Sequence, residues 1–265
     1  MRYVGGKSKI ATKISDAILA ATTARKAYYE PFVGGGSTLA KLCPHFEKSF
    51  ASDAHEDIVL MWKEVQKGWI PHAVTYEEYQ ILRYSSEPSA LRGFAGFGGS
   101  FGGRWFEGFA RGGTNADGTP RNHQAESGRA VSRIAESIAQ GCVNFDKNDY
   151  REISPERGSV VYCDPPYRGS SKDYKPGKFD SDEFWEVVAA WADAGASVFV
   201  SEYSAPDGWA SIWSAQKRQS LVHGSGDRDV RTEHLFMRSN APRNRATDET
   251  ATLFDLLDDA KGEAL

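Results

Sequence analysis

Val160-Val161-Tyr162-Cys163-Asp164-Pro165-Pro166-Tyr167 sets an apolar run directly against a carboxylate, two prolines and an aromatic ring. Such a run, closed by prolines, predicts a buried strand that delivers a rigid polar turn to a sheet edge. Both prolines lack an N–H and fix φ, so the carbonyls of Asp164 and Pro165 are held in nearly one direction and are spared ladder bonding. Together with the Asp164 carboxylate they form a group of acceptors beside the face of Tyr167. A planar base with an exocyclic amino group suits this group, since its N–H hydrogens meet Asp164 and a carbonyl while its ring stacks on Tyr167. A proline-rich loop with a capping Asp reads the same residues equally well, and the rest of the chain has to decide.

Two stretches upstream bear on that decision. Ala27-Tyr28-Tyr29-Glu30-Pro31-Phe32-Val33-Gly34-Gly35-Gly36-Ser37-Thr38-Leu39 reads as a strand, a glycine-rich turn and a helix start capped near Ser37 or Thr38. Gly34 and Gly36 satisfy only the first part of G-x-G-x-x-G, because Leu39 stands where the last glycine belongs, so the pattern does not support a dinucleotide. Ser49-Phe50-Ala51-Ser52-Asp53 then reads as a second strand ending in an acid. Asp53 stands where an α/β nucleotide-binding fold places the carboxylate that holds a ribose diol. Before them, Gly5-Gly6-Lys7 precedes a helical pattern through Ile10, Ile14 and Ile18, offering backbone N–H groups and an ammonium to an anion. Each feature alone is equally an ordinary turn or strand-end acid. Together with the turn at Asp164 they point to an adenosine-containing cofactor without a pyrophosphate.

The segment from Tyr3 to Lys7, the run from Glu30 to Ser37, and Asp164 to Tyr167 occur in the order of the Dam-type (D12 class) DNA adenine N6-methyltransferases of the alpha arrangement, which the chain resembles to about Asn240. The resemblance implies an α/β fold: a Rossmann-like S-adenosylmethionine-dependent methyltransferase sheet with helices on both faces and an inserted smaller, mostly helical or irregular target-recognition region. Residues 1–62 and 141–240 would form the catalytic and cofactor-binding domain, residues 63–140 the insertion, and residues 241–265 a mobile tail. The implied activity is site-specific methyl transfer from S-adenosylmethionine to a flipped-out adenine in double-stranded DNA. Its catalytic residues would be Asp164, Pro165, Pro166 and Tyr167. The cofactor would be held by Tyr3, Gly6, Lys7, Pro31, Phe32, Gly34, Gly36, Ser37, Asp53 and Asp164, with Phe145 near its adenine or in the core. A partner restriction nuclease and a bacterial or phage source also belong to the expectation. RNA adenine, cytosine N4 and a catalytically idle DNA-binding scaffold remain as alternatives, since the acceptor group fits any exocyclic amine.

Between Lys63 and Gln140 the composition changes. A glycine-aromatic run from Gly93 to Phe106 reads as too flexible for a long helix, and a second helical pattern through Val131, Ile134, Ala135 and Ile138 follows a polar loop. From Arg83 to Glu136 seven arginines stand against five acids in a chain whose net charge is −4. Arginine interleaved with aromatics suits phosphates and bases, which makes Arg104, Arg111, Arg121 and Arg129 candidates for DNA contact. Phe97, Phe101 and Trp105 are candidates to wedge a base step. An irregular insertion with a small satellite core is the competing reading. After the catalytic turn, Tyr174 and Tyr203 are candidates to line a base pocket. A helix led by Asp180 carries Phe184, Val187, Val188 and Trp191 on one face.

At 265 residues, 40% of them apolar and 12% aromatic, the chain is long enough for a sizeable core. No stretch approaches the roughly 20 apolar residues of a membrane span and no signal-peptide core is visible, so a cytoplasmic protein is expected. Cys43, Cys142 and Cys163 are odd in number and widely spaced, and the six histidines show no ligand spacing, so neither disulfides nor a metal is expected.

Overall fold

Among the described residues, fourteen α-helices and β-strands follow in chain order: α1 (Ala11–Ala21), β1 (Ala27–Glu30), α2 (Leu39–Leu42), β2 (Lys48–Asp53), α3 (Glu56–Gln66), α4 (Tyr76–Tyr84), α5 (Ala90–Gly93), α6 (His123–Gln140), β3 (Val143–Lys147), β4 (Val160–Cys163), α7 (Ser181–Asp193), β5 (Ser197–Glu202), β6 (Trp209–Arg218) and β7 (Val230–Arg238). The computed structural model describes residues 1–167, 179–218 and 230–238. Tyr174 and the tail 241–265 lie outside the described residues.

The strands form one sheet in the order β3-β2-β1-β4-β5-β7-β6. β1 to β5 run parallel, and β7 enters antiparallel between β5 and β6. This is the Rossmann-like sheet expected from the sequence. The long strand β6 was not anticipated, and neither was the antiparallel edge. β1 and β4 are buried at every position, as central parallel strands must be when both faces are covered. Chain order reverses between β1 and β4, and such a switch point leaves a crevice at the carboxyl ends of the two strands.

Period-two alternation sorts the side chains by face. Tyr28, Val160, Tyr162, Phe199 and Leu235 join one apolar cluster with Ile14 and Ile18 of α1, Leu39 of α2, Trp62 of α3 and Val131 of α6. Tyr29, Val161, Cys163, Val198 and Phe236 join the other, with Phe184, Val188 and Trp191 of α7. Helices therefore cover both faces. α7 begins at Asp180, whose carboxylate accepts the N–H groups of Asp182 and Glu183 at 2.9 and 3.1 Å. The same alternation places Glu30, Ser201 and Glu233, and Asp164 one step past the end of β4, on the first face.

The segment between α3 and α6 is more ordered than its glycine content suggested. Thr75 and Glu78 close a capping box on α4, and α5 runs into a π-helical turn over Phe94–Gly98. The rings of Tyr79, Phe94, Phe97 and Phe106 belong to the same cluster as α3 and the sheet. Buried Asp57 anchors the segment by accepting the Ser89 N–H at 2.8 Å and pairing with Arg92 at 2.7 Å. α6 ends where β3 begins and packs against α2 and α3, serving as the crossover helix into the edge strand. Among the described residues, no helix is long and apolar enough to cross a membrane.

Candidate active site

The crevice at the switch point is a cavity of about 140 Å³, partly open to solvent. Its walls are the N-terminal strap 3–7, Glu30 with the turn 32–38, and the turn 164–167. All three stretches singled out in the sequence thus meet in one place. Neighbouring strand ends explain the meeting of the last two, because Tyr28 and Tyr29 pair with Val160 and Val161. The strap is brought in by its own packing. Gly6 N–H donates to the Tyr3 carbonyl and Val4 N–H to the Gly103 carbonyl, at 2.9 and 2.8 Å, and the Tyr3 ring lies 4.5 Å from that of Phe97.

Glycine is required in the turn for two reasons. Gly34 and Gly36 have φ of +40° and +68°, and a Cβ would come within 2.7 Å of the Tyr3 ring at the first and 2.8 Å of Trp62 at the second. The turn is tied down from below by the Trp62 indole N–H, which donates to the Gly34 carbonyl at 2.9 Å. Asp53 accepts the Gly34 and His55 N–H groups at 3.0 and 2.9 Å. Burial pushes its carboxyl up to about 6, against the pull of those two bonds.

Lys7 organises the polar side of the cavity. Its side chain is 3% exposed, and its ammonium lies 2.6 Å from Asp164 Oδ1 and 3.2 Å from Glu233 Oε1. It also donates to the Tyr167 hydroxyl at 2.5 Å. Burial works against the charge, but the two carboxylates more than offset it and hold the Lys7 pKa above its ordinary value. The Tyr167 ring meets that of Tyr203 edge-on at 4.6 Å, so the two tyrosines stand together at this edge. Glu30, 3% exposed, is pushed well above the usual carboxylate range by burial, opposed by the Tyr28 hydroxyl and reinforced by Asp164. That hydroxyl donates to Glu30 Oε2 at 2.5 Å.

Tyr3, Gly6, Lys7, Phe32, Gly34, Gly36, Ser37 and the turn 164–167 all line the cavity. Pro31, Asp53 and Phe145 do not. Pro31 is buried beneath the turn, Asp53 faces the backbone N–H groups it binds, and Phe145, 4% exposed, lies parallel to Trp62 in the core. Among the rings proposed to wedge bases, Phe101 is 68% exposed, whereas Phe97 is 5% exposed and packed against Tyr3, His55 and Trp105. Trp105 is half-buried between the His55 ring at 4.1 Å and the Arg92 guanidinium at 4.9 Å. Phe97 and Trp105 therefore serve as packing rings in this structure, because the glycines around them allow close approach. Arg104, Arg111, Arg121 and Arg129 are exposed, and Arg121 forms a two-point pair with Glu126 at 2.9 and 2.6 Å. Sequence reading passed over Glu30 and Glu233. The available signal was an acid inside or at the end of an apolar strand.

Residues 3–88 match the family described as D12 class N6 adenine-specific DNA methyltransferase. That match supports the D12 family for this chain. It covers the strap, the glycine turn and Asp53, and it stops short of the turn at Asp164. No curated protein matches the sequence. Among solved structures, the chain is similar to the rRNA methyltransferase aviRa of Streptomyces viridochromogenes (15% identity, 89% of this chain and 86% of that one, TM-score 0.42). It is also similar to the magnesium protoporphyrin IX methyltransferase ChlM of Synechocystis PCC 6803, solved with bound SAM (11% identity, 89% and 80%, TM-score 0.39). The D12 match supports an S-adenosylmethionine-dependent methyltransferase, and the cavity suits that cofactor. Lys7 offers a cation for a carboxylate, Glu30 and Asp164 line the space with acceptors, the Asp164 carboxylate adds negative charge toward a sulfonium, and the turn 34–36 presents backbone without Cβ atoms.

Proposed function

We propose that this chain is a DNA adenine N6-methyltransferase that acts on an adenine swung out of the duplex. One observation carries the reading: the Asp164-Pro165-Pro166-Tyr167 turn shares a single cavity with Lys7 and the glycine turn, at the switch point of the sheet. When bound, S-adenosylmethionine supplies a methyl group already activated on a sulfonium.

The chain's own residues then handle the amine. The adenine amino lone pair is delocalised into the ring and is a weak nucleophile. Hydrogen bonds from its N–H groups to the Asp164 carboxylate and the Pro165 carbonyl orient it and favour the pyramidal form, and the carboxylate offsets positive charge that develops on nitrogen. Tyr167 provides a stacking face, which repays part of the few kcal/mol needed to unstack the base. Exposed Phe101, Arg104, Arg111 and Arg129 on the segment between α3 and α6 are the groups proposed to meet DNA, as far as exposure decides it.

The test is transfer of labelled methyl to a random-sequence duplex pool, followed by nucleoside analysis. Label in N6-methyladenine is expected. Asp164→Ala should reduce transfer by at least ~100-fold while cofactor binding stays within a few-fold. Near-normal turnover by that variant would refute the assignment of Asp164, and label appearing only in RNA or only in N4-methylcytosine would refute the substrate.

A further inference from the structure

Asp164 cannot serve a substrate amine fully while its Oδ1 is held by Lys7 at 2.6 Å. The other oxygen can still accept, but Oδ1 reaches its full strength as an acceptor only when the ammonium loosens its hold on it. An ammonium this deeply buried is too costly to leave without a counter-charge. The structure holds a second carboxylate for it. Glu233, on β7, is 1% exposed, and its Oε1 is 3.2 Å from the Lys7 nitrogen. β7 is the strand inserted antiparallel next to β5, and its register sets Leu235 against Ser201 and His234 against Glu202. Glu233 therefore falls one step beyond the end of β5, on the face that carries Asp164.

We propose that Glu233 is a positioning residue that takes over Lys7 when Asp164 engages the substrate amine. The inference rests on the reading of the cavity as a methyltransferase site. Lys7 alternates between two carboxylates that it already touches, so the movement required is about an ångström, and the ammonium keeps a partner throughout. Charge gives a second reason for the residue. Lys7 alone would neutralise Asp164, leaving nothing to favour a cationic sulfonium or a positive charge growing on nitrogen. With Glu233 ionised, the group of three carries one net negative charge, and Asp164 remains an effective acceptor.

The experiment compares wild type, Glu233→Gln and Glu233→Asp for cofactor binding and for methyl transfer between pH 7 and 10. Wild type is expected to be flat across this range, because two carboxylates keep Lys7 charged. Glu233→Gln should bind cofactor within about threefold of wild type yet turn over at least ~10-fold more slowly at pH 7, with activity recovering as pH rises toward 10, because Lys7, left with one carboxylate, loses its proton and no longer neutralises Asp164. Glu233→Asp keeps the charge and should recover the flat profile. Melting temperatures identify a variant that fails to fold, in which case the Asp variant alone decides by its profile. Wild-type activity with an unchanged rate and profile in Glu233→Gln overturns this inference and leaves the functional reading standing. If wild type transfers no methyl to any amine acceptor, the functional reading fails first and the role of Glu233 goes with it.

Discussion

Gly36→Ala tests whether the glycine turn is a seat shaped by its neighbours or a loop that tolerates change. At φ +68°, alanine pays roughly 1 kcal/mol for the left-handed backbone. Its Cβ would stand 2.8 Å from Trp62 Cζ2, and Trp62 is fully buried with no free direction in which to move. Displacing that ring from its rotamer costs about another 1 kcal/mol, and breaking the indole bond to the Gly34 carbonyl costs roughly 1 kcal/mol more. The expected loss is about 3 kcal/mol, or roughly 10 °C in melting temperature for a chain of this size. Gly68→Ala is the matched control, because Gly68 also has positive φ, at +96°, but has nothing within 4 Å of its Cβ position. It should cost only the backbone share, about 3 °C. Thermal melts of both variants against wild type decide the matter. If Gly36→Ala melts within two degrees or so of Gly68→Ala, Trp62 does not constrain the turn and the packing argument is wrong.

Two other substitutions probe charges buried near the site. Arg92→Met removes the partner of Asp57, whose side chain is 4% exposed. It should destabilise by about 3–5 kcal/mol, read by urea unfolding, and adding Asp57→Asn should recover part of the loss; a change under about 1 kcal/mol would show that the pair does not anchor the segment between α3 and α6. Asp53 holds its proton more tightly in the folded protein than in the unfolded chain, with a folded value of about 6. Its stabilising share is therefore full below about pH 4 and lost as pH rises through 6. Urea unfolding at pH 4.5 and 7 should show wild type losing about 2 kcal/mol relative to Asp53→Asn as pH rises. Parallel profiles would mean that Asp53 titrates as an ordinary surface carboxyl.

The parts of the fold legible in the sequence were those encoded locally. Two prolines after an apolar run defined the end of β4, and a capping Asp180 with four apolar positions at helical spacing defined α7. β6 was missed because its register against β7 shifts between Ser211 and Trp213, so strict alternation is broken. The glycine-aromatic segment was misjudged for a different reason. A Cβ at Gly96 would lie 2.2 Å from Trp105, and one at Gly93 2.3 Å from the Asp57 carbonyl. Those glycines permit close packing of rings and backbone, and no sequence pattern separates that use from flexibility. Glu233 was invisible as a site residue because its meaning depends on Lys7, more than two hundred positions away, and only the sheet brings them together.

The same contacts show why the insertion and the cofactor turn should be treated as one unit. Tyr3 is confined on three sides. A Cβ at Gly34 or Gly35 would press on its side chain at 2.7 and 3.0 Å, and one at Gly103 would press on its backbone at 2.8 Å. The strap that carries Lys7 is thus clamped between the turn proposed to hold the cofactor and the segment proposed to meet DNA. Gly103 is also the acceptor for Val4 N–H. A shift of the segment between α3 and α6 would therefore reach Lys7 through a few residues of tightly packed backbone. Lys7 holds Asp164 Oδ1 at 2.6 Å, so the packing of that segment and the placement of the carboxylate are joined through the strap.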